Sequence, residues 1–91
     1  GSLTVDAGCA AALGRGGSLL ATGITAVDGD FARGDPVAVR DGAGGAIAQG
    51  LAEYSSAEVA SIRGRRSDEL EALLGYAPRA AVIHRDQLVL L

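Results

Sequence analysis

Polar and apolar residues alternate between Gly29 and Leu51 in a pattern suited to extended chain. Val37 and Val39 share one face at period two, and Ala38 and Arg40 share the other. Asp41-Gly42-Ala43-Gly44-Gly45 supplies a turn, because glycine reaches positive φ without a Cβ clash. Ile47-Ala48-Gln49-Gly50-Leu51 then runs back, and the ribbon is expected to extend through Ala52-Glu53-Tyr54. Ahead of it, Leu3-Thr4-Val5 reads as a first strand. Asp6 reads as the cap of a short helix from Ala7 to about Leu13, weakened by Gly8, with Gly14 and Gly16 near its end. Arg15-Gly16-Gly17 is a loop. Ser18-Leu19-Leu20 and Ile24-Thr25-Ala26-Val27 are strand pieces separated by Gly23.

After the ribbon the period changes. Ser55-Ser56-Ala57-Glu58 is a helix start in which Ser55 and Glu58 serve each other's backbone amides. Val59 and Ile62 lie three apart on one face, and Gly64 ends the helix. Ser67 reads as the cap of a second helix, with Asp68, Glu69 and Glu71 at the positive end of its dipole. Leu70, Leu73 and Leu74 form its apolar stripe, and Gly75 stops it. Ala81-Val82-Ile83-His84 and Leu88-Val89-Leu90-Leu91 are the last strands, around the corner Arg85-Asp86-Gln87. The fold class that follows is mainly β with short helices (α+β). About five or six short strands with glycine corners suit a small, partly closed barrel with helices flanking its ends.

Composition limits what this scaffold does. With 91 residues the chain has room for one domain, spanning 1–91, and for one modest core. Apolar content is 48%, much of it alanine, so the core must come from Leu, Val, Ile and Ala, with Phe31 as its largest apolar piece. All eight basic residues are arginine, and eleven acids bring the formal net charge to −3. An acidic domain is a poor autonomous nucleic-acid binder, although a local arginine patch is compatible with it. Cys9 has no internal partner, which fits a reducing cytoplasm. No apolar run approaches 18 residues and no leader is evident, so neither a membrane span nor a signal peptide is expected. Gly1-Ser2 read equally well as native or as added residues.

Candidate chemistry is sparse. His84-Arg85-Asp86 has the form of a kinase catalytic triplet, but Leu91 stands where an Asn is needed and the chain has no lysine. A strand-end turn whose polar side chains bond the backbone accounts for it. Gly14-Arg15-Gly16-Gly17-Ser18 is a candidate anion cradle that lacks the GK[ST] ending of a phosphate loop, and a ligand-free turn is the preferred reading. Arg63, Arg65 and Arg66 cluster between the two helices, with Arg79 and Arg85 further on. Their guanidinium forks suit phosphate, yet Glu58, Asp68, Glu69 and Glu71 are nearby partners. One Cys and one His do not complete a zinc site, and Cys9 reads as a small core residue.

The segments together resemble a PUA domain, the pseudo-barrel named after pseudouridine synthases and archaeosine transglycosylases. Val5-Asp6-Ala7-Gly8 and Gly17-Ser18-Leu19-Leu20-Ala21-Thr22-Gly23-Ile24 resemble its opening strand-helix-strand. Gly29-Asp30-Phe31-Ala32-Arg33-Gly34-Asp35-Pro36-Val37 resembles its central turn motif, and Ile47-Ala48-Gln49-Gly50 the strand that follows. Three further stretches are similar to the C-terminal PUA domain of bacterial glutamate 5-kinases: Tyr54 to Glu58, Ile62-Arg63-Gly64-Arg65-Arg66-Ser67-Asp68-Glu69-Leu70 with Leu74-Gly75-Tyr76, and Val82 to Leu91.

This resemblance implies a parent that phosphorylates the γ-carboxylate of glutamate with ATP and magnesium, the first step of proline biosynthesis. Its catalysis would reside in an N-terminal amino-acid kinase domain of the same chain. The piece itself would have no catalytic residues, cofactor or metal. A homo-oligomer of the full enzyme is a further expectation. In RNA-binding PUA domains the first helix, the glycine loop and the last strand form the RNA surface, which here means Gly14 to Ser18 and Leu88 to Leu91. Arg15 alone on that surface implies weak RNA binding at physiological salt. Three roles stand open at this point: a regulatory or assembly module, an RNA-binding module using Gly14, Arg15, Gly16, Gly17, Ser18, Arg63, Arg65 and Arg66, and a structural cap on the kinase domain.

Overall fold

Residues 1–66, 69–75 and 81–91 are described by the computed structural model. In chain order they form β1 (Ser2–Val5), α1 (Ala7–Gly14), β2 (Leu19–Leu20), a 3-10 turn (Ala21–Gly23), β3 (Ile24–Asp28), β4 (Pro36–Arg40) and β5 (Ala46–Leu51). Then come α2 (Ser56–Ile62), α3 (Leu70–Leu74), β6 (Ala81–Ile83), a second 3-10 turn (Arg85–Gln87) and β7 (Leu88–Leu90). The result is a mainly β domain with short helices, as the residue pattern predicts.

β4 and β5 form the hairpin expected from the alternation. The Asp41 carboxylate accepts from the amides of Ala43 and Gly45 at 3.0 and 3.1 Å, and Gly44 takes φ +91 in the turn. This hairpin sits inside a five-stranded sheet of order β3-β1-β4-β5-β7, while β2 pairs with β6 in a second, two-stranded sheet. β1 lies between β3 and β4, antiparallel to the first and parallel to the second. Leu3 faces Val39, and Val39 faces Ala48. Leu3, Val5, Val37, Val39 and Ala48 therefore share the inner face, and all five are buried.

The ribbon stops as a strand at Leu51, short of the expected Tyr54. Ala52 still exchanges bonds with the corner, donating to Asp35 O and accepting from Gly34 N. Glu53 N–H then donates to Val82 O at 2.7 Å. The chain thus crosses from one sheet to the other, and the crossing drives Tyr54 into the core. Phe31 is buried as expected, at 7% exposure, but Tyr54 at 0% is the largest fully buried side chain among the described residues. The aromatic anchor of the core is therefore Tyr54, and Phe31 lies nearer its margin.

Helix ends follow local chemistry. Asp6 accepts from Cys9 N–H at 2.7 Å. Ser55 and Glu58 form the reciprocal capping box, an arrangement whose cap alone contributes about 1 kcal/mol. Val59 and Ile62 are buried beneath α2. In α3, Leu70 is buried and Leu74 half-buried, whereas Leu73 is 43% exposed. By spacing Leu73 shares a face with Leu70, but it lies at the uncovered margin of that face, so the expected stripe is buried at Leu70 and only partly at Leu74. The expected cap Ser67, its neighbour Asp68, and Arg79 lie outside the described residues.

Candidate functional site

The glycine loop leaves the C-terminal end of α1, which determines its chemistry. Arg15 N–H donates to Ala12 O, Gly16 N–H to Leu13 O, and Gly17 N–H to Ala12 O, all within 3.1 Å. Three amides that an anion cradle would need are therefore occupied by the helix's own last carbonyls. The negative end of the helix dipole also points at this loop, which disfavours an anion there. Gly14, Gly16 and Gly17 accordingly form a helix stop, and the Arg15 side chain remains exposed beside them. Ser18 Oγ accepts from Arg85 N–H at 2.9 Å. This bond brings the 3-10 turn of Arg85 to the glycine loop, so Arg85 joins Arg15 at that end of the domain. Residue spacing carried no signal of it, since the two partners are 67 positions apart.

The arginine cluster is engaged within the chain. Arg63 Nη1 donates to Thr25 O at 3.0 Å, tying the end of α2 to β3. Arg65 and Arg66 each approach Glu69 at 3.8 Å. The Gly64 amide donates to Ala21 O at 2.7 Å, which places this segment against the first 3-10 turn. The intramolecular pairing expected from the nearby acids is thus present at Glu69.

Between α1 and that 3-10 turn lies a cleft of about 310 Å³, lined by Asp6, Gly8, Cys9, Ala12, Ser18, Leu20, Thr22 and Gly23. Its walls are tied together by Asp6 N–H donating to Gly23 O at 2.9 Å. Gly23 is required by proximity, because a Cβ there would lie 2.4 Å from Cys9 Cβ. Cys9 is half-buried at the edge of the core, where the sequence suggested a core position. Burial pushes its thiol pKa up, the Asp6 carboxylate pushes in the same direction, and a backbone hydrogen bond at Leu20 offsets part of this. A raised pKa keeps the sulfur as a neutral thiol, the opposite of what an activated nucleophile needs.

Iodoacetamide is therefore expected to alkylate Cys9 more slowly at pH 7 than it alkylates a free thiol, with a rate profile displaced to higher pH. A rate equal to that of glutathione would overturn this. The same shift affects stability on the alkaline side. Above the ordinary thiol range the unfolded chain ionises first, so stability falls as pH rises there, and Cys9→Ala should remove that part of the decline.

His84 Nδ1 accepts from Asp86 N–H at 3.1 Å, capping the 3-10 turn. The Asp86 carboxylate lies 3.5 Å from the same nitrogen. The triplet is a strand-end turn. Among the described residues no group of three His, Cys, Asp or Glu is placed to hold a metal ion, and no helix is long and apolar enough to cross a membrane.

A mixed sheet around a buried Tyr54, closed by a small second sheet and fronted by a short helix and a glycine loop, defines a small, mainly β domain with short helices. Residues 1–74 match the family model of the PUA domain, and the chain belongs to that family. A PUA domain from Aeropyrum pernix K1, solved as a tartrate complex, superposes with a TM-score of 0.68 at 29% identity over 92% of this chain and 41% of that one. A conserved PUA domain protein from Thermoplasma acidophilum gives 0.62 at 37% identity, over 70% of this chain and 43% of that one.

Among curated proteins, a glutamate 5-kinase of Novosphingobium aromaticivorans is 64% identical over 91 residues, covering 100% of this chain. A glutamate 5-kinase of Paracoccus denitrificans is 62% identical over 89 residues, covering 98% of it. The chain spans 24% of the length of each of these two relatives.

Proposed function

We propose that this chain is the non-catalytic accessory domain at the C-terminal end of a cytoplasmic glutamate 5-kinase, acting on that enzyme's assembly or on its response to proline. The observation that carries the reading is the match of the whole chain, at 64% identity, to about a quarter of a glutamate 5-kinase. Transfer of the ATP phosphoryl group to the γ-carboxylate of glutamate, with magnesium, is assigned to an amino-acid kinase portion outside these 91 residues. No side chain described above is assigned a part in that transfer, and the one thiol is held in its unreactive form.

Regulation requires that the domain contact two states of the enzyme differently. An apolar surface serves that purpose better than a phosphate-binding one does here. Arg63 is bonded to Thr25, Arg65 and Arg66 face Glu69, and the net charge is −3. Among the described residues Arg15 and Arg85 are the cations left at the glycine loop, which supports only weak RNA binding.

Deleting residues 1–91 from the full enzyme tests the proposal. Glutamate phosphorylation should persist, while proline inhibition weakens or the oligomer mass changes. Unchanged inhibition together with unchanged mass would sink it. A truncated enzyme that is only less stable, with the same kinetics and mass, would mark the domain as a structural cap.

A further inference from the structure

β7 is an edge strand that reads as a buried one. A strand with one solvated face alternates apolar and polar residues, whereas a strand covered on both faces is apolar throughout. Residues 88–91 are Leu-Val-Leu-Leu, with no charge, proline or bulge of the kind that protects free edges. Among the described residues β5 pairs with one side of β7 and no strand pairs with the other. Val89 lies opposite Gln49 on the outer face. Leu91 continues the ladder through its amide to Ile47 O, and Leu51 lies two residues along from Gln49 on that same face. Val89 is 59% exposed, Leu91 70% and Leu51 41%, and Leu90 on the opposite face is 49% exposed. Contiguous exposed apolar groups at an unpaired edge mark an interaction surface.

We infer that the outer face and free edge of β7, built on Leu51, Val89 and Leu91, dock against the remaining part of the parent kinase chain. The inference rests on the accessory-domain reading above. Two observations favour that occupant over a second copy. The chain spans 24% of its glutamate 5-kinase relatives, so about three quarters of such a protein is available to cover the face. The geometry of β1 also directs a tether to it. Ala38 N–H donates to Gly1 O, and β1 runs parallel to β4. Pro36, at the start of β4, lies opposite Leu51. A segment joined ahead of Gly1 therefore leaves the sheet at the end where Leu51 is exposed. A domain tethered there meets this face at an effective concentration on the order of millimolar, well above that of a free second copy.

Hydrogen exchange on the full parent enzyme and on the 91-residue chain, together with the paired substitution Val89→Asp, Leu91→Asp in each, tests the inference. Amides of residues 47–51 and 88–91 should exchange about tenfold more slowly in the full enzyme than in the 91-residue chain. The paired substitution should abolish most of that difference in the full enzyme. It should leave the melting temperature of the 91-residue chain close to its wild-type value, because both side chains are already exposed in it. Equal exchange in the two wild-type proteins would overturn the inference. Protection that appears in the 91-residue chain alone and rises with its concentration would overturn it in favour of a second copy. Glutamate phosphorylation by the same full enzyme is measured separately, so a parent lacking that activity would defeat the accessory reading while leaving the exchange result to be judged by itself.

Discussion

Tyr54→Ala is expected to destabilise the domain by roughly 3–5 kcal/mol, the range for removing a fully buried aromatic ring. A chain of this size has a total stability of only about 5–14 kcal/mol, so the variant should be partly unfolded at temperatures the wild type tolerates. The ring has no solvent exposure and belongs to the same buried cluster as Leu3, Val39, Val59 and Ile83. It also sits where the chain crosses between sheets, so its loss opens a cavity shared by both. A urea midpoint followed by far-ultraviolet circular dichroism reports the change. A loss below about 1 kcal/mol would mean that the ring is not packed as described. Tyr54→Phe keeps the ring, and should cost only about 1 kcal/mol, the scale of a single hydrogen bond.

Gly50→Ala should have the second largest effect. A methyl group at this position would lie 2.5 Å from the carbonyl oxygen of Gln87, 2.7 Å from Ile83 Cγ2 and 3.3 Å from Leu88 Cα. Two of those neighbours are backbone, so relief requires the turn of residues 85–87 and the start of β7 to move. Overpacking of this kind costs roughly 1–3 kcal/mol. The damage should be uneven, with amides of residues 48–50 and 88–90 losing exchange protection while the β1–β3 pair keeps its own. A variant with the wild-type midpoint and an unchanged exchange pattern would contradict the close approach.

Local chemistry was readable from residue order. Ser55 with Glu58, Asp6 ahead of α1, the alternation of Val37 and Val39, and the turn at Asp41–Gly45 all act within a few positions, and each is present in the fold. What escaped the residue pattern depends on partners far apart in the chain. The parallel pairing of β1 with β4, the bond from Arg85 to Ser18, and the burial of Tyr54 have no periodicity that announces them. Leu73 was misplaced for the same reason, since only the packing partner decides which side of a five-residue helix is covered.

The candidate site was legible in composition and not in state. Gly14 to Ser18 was identified as a loop, but whether its amides were free depended on the carbonyls of Ala12 and Leu13 behind it. Arg63, Arg65 and Arg66 were identified as a cluster, and the acid at Glu69 was among the partners expected. The backbone oxygen of Thr25, which engages Arg63, was not, because its approach comes from β3 packing beside α2.

The second sheet couples an early and a late segment of the domain. Leu19 pairs with Ile83, so within the domain a strand near its start has its partner far later in the sequence. During synthesis the nascent chain leaves the ribosome with Leu19 already formed into backbone that has nothing to pair with. Closing so long a loop is slow compared with forming a hairpin. The β4–β5 hairpin can form while the rest of the domain is still being translated. The complete core, with Val82 and Ile83 in place, must wait until almost the whole domain has emerged. A premature stop after α3 would release a product with a preformed hairpin and an open core, a species suited to rapid capture by chaperones or proteases.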